Sequence, residues 1–282
     1  MMKFAVLGSP IDHSKSPALH TAAYAVLGLD WSYGRFEVVH GELGTFLSEH
    51  QEYAGFSLTM PLKEEAHKLA VENGWAIDAM SQLLEAGNTL RRVPGGFELY
   101  NTDVYGASQA LATKPDLHAS TVAILGSGAT ARCVALAALG SFTNLERLTV
   151  FSRSAEGANR IFEVLKGSAA FSNHSGIELI WNSLEAAADF GGAGLTINTL
   201  PSDVAADVEI DLPFTESWFF DVTYNPWPSV LSNSWLADHT ISGIEMLINQ
   251  AIAQLRIFTS GDVSHPLNSE LEVHNAMVAS VL

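Results

Sequence analysis

Two residue groups near the middle of the chain have types and spacing that could bind an anionic ligand. Gly126-Ser127-Gly128-Ala129-Thr130-Ala131 directly follows the apolar run Thr121-Val122-Ala123-Ile124-Leu125 and leads into helix-forming residues. That is G-x-G-x-x-A between a strand and a helix. In this pattern the first glycine permits a tight turn and the second lets backbone approach a pyrophosphate. The small third residue lets helix and strand pack closely. Helix N-terminal amides then hold the phosphates. The next apolar run, Leu148-Thr149-Val150-Phe151, ends in Ser152-Arg153-Ser154. A site for NAD carries Asp or Glu at such a strand tip, to bind the ribose hydroxyls. Here a guanidinium flanked by two hydroxyls takes that place, and its fork suits a 2′-phosphate. The residues point to NADP over NAD; the plainer alternative is an ordinary exposed loop arginine. Arg132 and Arg160 are nearby cations that could add to phosphate binding. Cys133, early in the same helix, reads as a small buried packing residue.

The elements that must position these groups follow an alternating rhythm of strands and helices, which predicts an α/β protein with largely parallel sheets. Residues 2–8 read as a buried strand bounded by Gly8-Ser9-Pro10, and a helix follows from about Ser16 with Pro17 at its first position. Strands are expected at 31–38 and 54–59, a helix from near Pro61, and a hairpin from Asn88 to Asn101 turning at Pro94-Gly95-Gly96. Lys114-Pro115-Asp116 reads as a connector. Beyond it, strands at 121–125, 147–152, 177–181, 193–198 and 217–222 have the rhythm of a Rossmann domain. Helices are expected from Gly243 to Ser260 and from Leu267 to the end. Two domains result: an N-terminal α/β domain of 1–107 plus 241–282, and a parallel-sheet nucleotide domain of 108–240.

A second set of groups is spread along the chain. Gly8-Ser9-Pro10-Ile11-Asp12-His13-Ser14-Lys15-Ser16-Pro17 resembles the G-x-P-I-x-H-S-x-S-P signature of the shikimate dehydrogenase family. Ser57-Leu58-Thr59-Met60-Pro61-Leu62-Lys63 is similar to its N-V-T-x-P-x-K motif, Ala86-Gly87-Asn88-Thr89 to G-A-V-N-T, and Asn101-Thr102-Asp103-Val104-Tyr105-Gly106 to N-T-D-x-x-G. Asp221-Val222-Thr223-Tyr224-Asn225-Pro226 resembles D-x-x-Y-x-P, and Gly243-Ile244-Glu245-Met246-Leu247 with Gln250 resembles G-x-x-M-L-x-x-Q. These motifs stand in the family's order over nearly the whole chain.

The resemblance implies roles at the matching positions. Ser14 and Ser16 would bind a substrate carboxylate. Thr59, Asn88, Asp103 and Gln250 would hold ring hydroxyls, Tyr224 would close the pocket, and Lys63 with Asp103 would be the catalytic pair acting on 3-dehydroshikimate or shikimate. On the cofactor side it implies Gly126, Ser127, Gly128, Ala129, Thr130, Ala131, Ser152, Arg153, Ser154, Asn198, Thr199, Val222, Gly243 and Met246 around NADP. The chemistry accounts for the residue types. Hydride addition to a ketone puts negative charge on oxygen, and a Lys ammonium within reach stabilises it and delivers a proton. Without this context Lys63 reads as a surface lysine, Asp103 as a turn residue, and Ser14 and Ser16 as turn and capping residues. His13 could be an acid or base, but reads better as a structural loop residue. Asp221 reads as a loop-fixing carboxylate.

The sequence departs from the family at Ser57 for Asn, Leu58 for Val, Gly87 for Val if Asn88 is aligned, and Thr21 after His20. These changes bear on substrate preference more than on activity. A close alternative is a quinate/shikimate dehydrogenase using NAD, which an acidic residue in place of Arg153 would favour. A non-catalytic ligand-binding regulator is a third, and retention of both Lys63 and Asp103 speaks against it.

Composition bounds the rest. Of 282 residues 48% are hydrophobic, enough for a large core, and the formal net charge is −17. Such a surface repels nucleic acid and anionic membranes. With only 14 Lys and Arg, an anionic substrate depends on a few local cations. A single cysteine excludes an intrachain disulfide and a multi-cysteine metal site, and no histidine spacing suggests a metal. The apolar runs are too short for a membrane span or a signal-peptide core. The expectation is a cytoplasmic monomer or homodimer acting on a small molecule.

Overall fold

The computed structural model describes residues 1–174, 176–189, 192–208 and 217–281. In chain order the elements are β1 (Met2–Gly8), α1 (Ser16–Leu27), β2 (Trp31–Glu37), α2 (Leu43–Glu49), β3 (Tyr53–Leu58), α3 (Leu62–Asn73), β4 (Ala76–Ile77), α4 (Ala79–Leu84), β5 (Thr89–Val93), β6 (Gly96–Tyr100) and α5 (Asp103–Ala112). They continue with β7 (Thr121–Leu125), α6 (Ala129–Ser141), β8 (Arg147–Ser152), α7 (Ala155–Gly167), β9 (Glu178–Ser183), β10 (Leu195–Asn198), α8 (Ser202–Ala205), β11 (Trp218–Asp221), β12 (Thr240–Ser242), α9 (Gly243–Ser260) and α10 (Glu270–Val281). Residue 282, at the expected end of the last helix, lies outside the described residues. Two compact units form, Met1–Gly106 with Leu247–Leu282, and Ala107–Met246.

In the first unit the strand order is β2-β1-β3-β5-β6-β4. β1 pairs in parallel with both β2 and β3, and its last five residues are buried, which explains its unbroken apolar run. β5 and β6 form the expected antiparallel hairpin, with β5 also antiparallel to β3. Leu7, Phe56, Leu58, Leu62, Leu90 and Leu99 are among the core residues under α2 and α3. Pro17 starts α1, where its missing N–H costs nothing. On α10, Val273 and Met277 are fully buried, and α10 packs on α1.

The second unit is a parallel sheet of order β12-β11-β10-β7-β8-β9. Taken from β7 as first strand, this is the Rossmann order, with its reversal between β7 and β10. The sheet is buried by Leu125, Phe151, Phe219 and Trp235, among others. Ligands in such sheets sit beyond the carboxyl ends of the strands at the reversal, where Gly126 and Thr199 lie.

Candidate active site

In the first unit, parallel pairing of β1 and β3 brings the loops after both strands to one edge of the sheet. Thr59 N donates to Leu7 O (2.9 Å) and Ser9 N to Met60 O (3.0 Å), tying the two loops together. At Gly8 an added Cβ would lie 2.3 Å from Thr59 Cγ2 and 2.8 Å from Met60 O, so the approach needs a residue without a side chain. Asn88 precedes β5 and Asn101 follows β6, and the antiparallel hairpin returns both to that same edge. Ser14, Ser16, Thr59, Lys63, Asn88 and Asp103 thus stand on loops or first helical turns at one edge.

Lys63, in the first turn of α3, places Nζ 2.7 Å from Asp103 Oδ2. Asp103 opens α5, where a carboxylate suits the helix dipole, and its N–H donates to Asn101 Oδ1. Its other oxygen accepts from Asn88 Nδ2 at 2.9 Å. The orientation of the Asn88 amide is settled by Thr102, whose backbone N–H can only donate and points at Asn88 Oδ1 (2.9 Å). The NH₂ group therefore faces Asp103, Thr102 Oγ1 and Gln250 Oε1. Gln250 itself donates to Leu247 O. Asn88 is 1% exposed, so its amide orients Asp103 from behind.

A second layer backs this one, and sequence reasoning missed it. Gln254 Nε2 donates to Asn88 O, while its Oε1 accepts from Ser57 Oγ (2.7 Å) and faces His20 Nε2 (3.3 Å). Tyr33 donates to Ser57 Oγ and stacks on the His20 ring, centroids 4.0 Å apart. Burial holds His20 down to a pKa of about 3, against the raising effect of its bond to Gln254. With an amide oxygen opposite, Nε2 carries the proton of the neutral ring. Ser57 is thus the shorter residue whose reach Gln254 completes. The usable signal was spacing: Gln254 lies one helical turn beyond Gln250 on α9. At Gly87 an added Cβ would lie 2.3 Å from Leu99 Cδ1, so Leu99 fills the space that the family's valine would need.

Ser16 is buried and Ser14 half-buried; neither hydroxyl caps α1, and Ser14 Oγ accepts from Ser16 N at 3.4 Å. Lys15, between them, donates to Val281 O. Thr59 is half-buried, and His13 is exposed.

In the second unit, Gly126 has φ +104, and a Cβ there would lie 2.5 Å from Thr199 Oγ1. The turn is held by Gly126 N to Phe151 O (2.8 Å) and Thr199 N to Leu125 O (2.9 Å). At Gly128, the N-cap of α6, an added Cβ would meet nothing within 4 Å, so the backbone there is open to a pyrophosphate. Ala131 is fully buried, as the motif's third position requires, and Cys133 is buried beside it in sequence. These features fit a dinucleotide.

Arg153 is exposed, and no hydrogen bond or ion pair engages it among the described residues. Ser154 is exposed and caps α7 by accepting from Gly157 N. Ser152, by contrast, is 2% exposed, and its hydroxyl donates to Ser154 O. Arg132 is buried within α6, and Arg160 pairs with Glu156. Asn198 donates to Asp221 Oδ1 and accepts from Leu200 N; Thr199 Oγ1 donates to Leu125 O. Asp221 is fully buried and also accepts from Thr223 N and Ser229 Oγ, so it fixes the loop that carries Tyr224. Tyr224 and Val222 are half-buried, and Met246 is buried. At Gly243 an added Cβ would lie 2.2 Å from Val222 O.

Comparison with known proteins agrees with both halves. Residues 6–90 match the family model described as the shikimate dehydrogenase substrate binding domain. A shikimate dehydrogenase (NADP(+)) of Methanosarcina mazei is 33% identical over 269 residues, 91% of this chain and 92% of that relative. The crystal structure of Mycobacterium tuberculosis shikimate dehydrogenase is similar with a TM-score of 0.76 at 31% identity, covering 99% of this chain and 100% of that one. The Thermus thermophilus enzyme, solved in complex with NADP(H) and shikimate, gives a TM-score of 0.72 at 28% identity, with 99% and 100% coverage.

Proposed function

The chain belongs to the shikimate dehydrogenase family, and from that premise we propose that it reduces 3-dehydroshikimate to shikimate with NADPH. The observation that carries this reading is the 2.7 Å pair of Lys63 and Asp103, braced by Asn88 at the loop edge of the first sheet.

The cofactor, when bound, supplies a hydride to the ketone carbon. Every other part of the chemistry falls to the chain's own residues. Lys63 donates a hydrogen bond to the ketone oxygen and passes a proton to it as negative charge develops there. Asp103 aims the ammonium and accepts from the neighbouring ring hydroxyl. Ser14 and Ser16 bind the substrate carboxylate through their hydroxyls, Thr59 and Gln250 take ring hydroxyls, and the resemblance assigns Tyr224 to the substrate as well. Asn88 acts chiefly by holding Asp103. The amides of Gly126–Ala131 would hold the pyrophosphate of NADP, Arg153 and Ser154 would bind its 2′-phosphate, and Val222, Gly243 and Met246 would line its nicotinamide. Asn198 and Thr199 brace the turn through their bonds to Asp221, Leu200 N and Leu125 O. No described helix is long and apolar enough to cross a membrane.

The reading is tested by initial rates from nicotinamide absorbance, with shikimate or quinate crossed against NADP⁺ or NAD⁺. Turnover confined to shikimate with NADP⁺ is expected. Comparable or faster turnover of quinate with NAD⁺ would move the chain to the catabolic type.

A further inference from the structure

The corner that carries Arg153 is held by a residue that no motif identifies. Trp181, on β9, is in register with Val150 of β8, and Ser183 with Ser152. Alternate residues along a strand share a face, so the indole lies on the same face of the sheet as the Ser152 side chain. Trp181 Nε1 donates to Ser152 Oγ at 3.2 Å. Ser152 Oγ donates in turn to Ser154 O at 2.8 Å. Ser154 Oγ accepts from Gly157 N at 3.3 Å and starts α7. The buried Ser152 hydroxyl therefore has both its donor and an acceptor site in use, which fixes its rotamer.

This run of three bonds grips the chain on both sides of Arg153 while leaving the guanidinium exposed. A cation on an ordered turn binds phosphate without the cost of ordering that turn at the moment of binding. We propose that Trp181 is a positioning residue that sets the preference for NADP over NAD, acting through Ser152 on the Arg153 turn. The inference rests on the NADP reading given above. NAD lacks the 2′-phosphate, so its binding draws nothing from the corner, and loosening the corner weakens NADP alone.

The test is steady-state kinetics with shikimate and each cofactor for wild type, Trp181→Phe, Ser152→Ala, Arg153→Ala and the Trp181→Phe/Arg153→Ala double variant. Loss of one neutral hydrogen bond corresponds to a factor of roughly 2–10. Trp181→Phe is expected to raise the KM for NADP⁺ by about that factor, with kcat and the KM for NAD⁺ unchanged. Ser152→Ala breaks the same chain and should shift the NADP⁺/NAD⁺ ratio in the same direction, which covers the case where Trp181→Phe does not fold. In the Arg153→Ala background the Trp181 change should add nothing, because both act on one interaction. Equal loss with both cofactors, or full additivity with Arg153→Ala, overturns the proposal. If wild type prefers NADP⁺ and Arg153→Ala removes the preference while Trp181→Phe and Ser152→Ala keep it, this inference fails alone. If wild type has no such preference, the NADP reading fails with it.

Discussion

Lys63 and Asp103 are 13% and 6% exposed at their side chains, so their pairing is only lightly screened by solvent. Asp103→Asn keeps the shape and removes the charge that aims the ammonium. Turnover is expected to fall by about 10²–10⁴ with the melting curve still cooperative; initial rates and a thermal melt together check this, and unchanged turnover would remove Asp103 from the catalytic pair. His20 gives a prediction of another kind. Its folded pKa of about 3 lies below the ordinary 6.5 because burial disfavours the imidazolium. Between those pH values the unfolded chain binds a proton that the folded chain refuses. The stability from neutral His20 is complete above pH 6.5 and falls as pH drops, by about 1.4 kcal/mol per unit, until pH reaches about 3. Glu270, lowered by its bond from Arg256, and Asp262, lowered by its bond from Ser264, add their own pH dependence only at and below the ordinary carboxylate range. Urea midpoints from pH 7 to 5 should therefore decline less steeply in His20→Asn than in wild type. Equal slopes would mean that His20 is not held neutral.

At the scale of elements, the start of α9 depends on a close approach rather than on propensity. A Cβ on residue 243 would lie 2.2 Å from Val222 O and 2.9 Å from Asp221 O, both backbone atoms. Gly243→Ala is expected to cost about 1–3 kcal/mol, seen as a lower denaturant midpoint; an unchanged midpoint would show that β11 and α9 can separate freely. The same scale explains what could be read in advance. β1 and β7 were legible as apolar runs that end at Gly8 and Gly126, and the β5–β6 hairpin by its Pro94-Gly95-Gly96 turn. β4, two residues long, and β12, three residues long, have no period to read and exist through pairing with β6 and β11. α4 carried a signal that went unused: Asp78 accepts from Ser81 N as its N-cap. The meeting of Lys63, Asn88 and Asp103 was legible because each stands in a contiguous motif. Gln254 and Trp181 escaped because their partners, Asn88 and Ser152, are far away in sequence and meet them only through tertiary packing.

Across the whole molecule, a net charge of −17 leaves few cations for anionic ligands. Several arginines and lysines pair with neighbouring carboxylates, as in Arg91–Glu98, Arg147–Glu178 and Arg256–Glu270. The C-terminal helix reaches the first loop: Lys15 Nζ donates to Val281 O at 2.8 Å, between the two serines assigned to the substrate carboxylate. Removing residues 262–282 strips the cover from α1 and frees that loop. The truncated chain is expected to show a higher KM for shikimate than wild type, with a smaller change for NADP⁺ and a lower melting temperature; equal shifts for both ligands would make the helix a general stabiliser only. The central claim is that Lys63 acts on the reacting oxygen. Its most direct test is the rate of NADPH formation from shikimate in wild type and Lys63→Ala, with NADP⁺ binding followed by calorimetry in both. A fall in kcat of about 10² or more, with cofactor binding retained, is the predicted result. Turnover by Lys63→Ala at the wild-type rate would contradict the account.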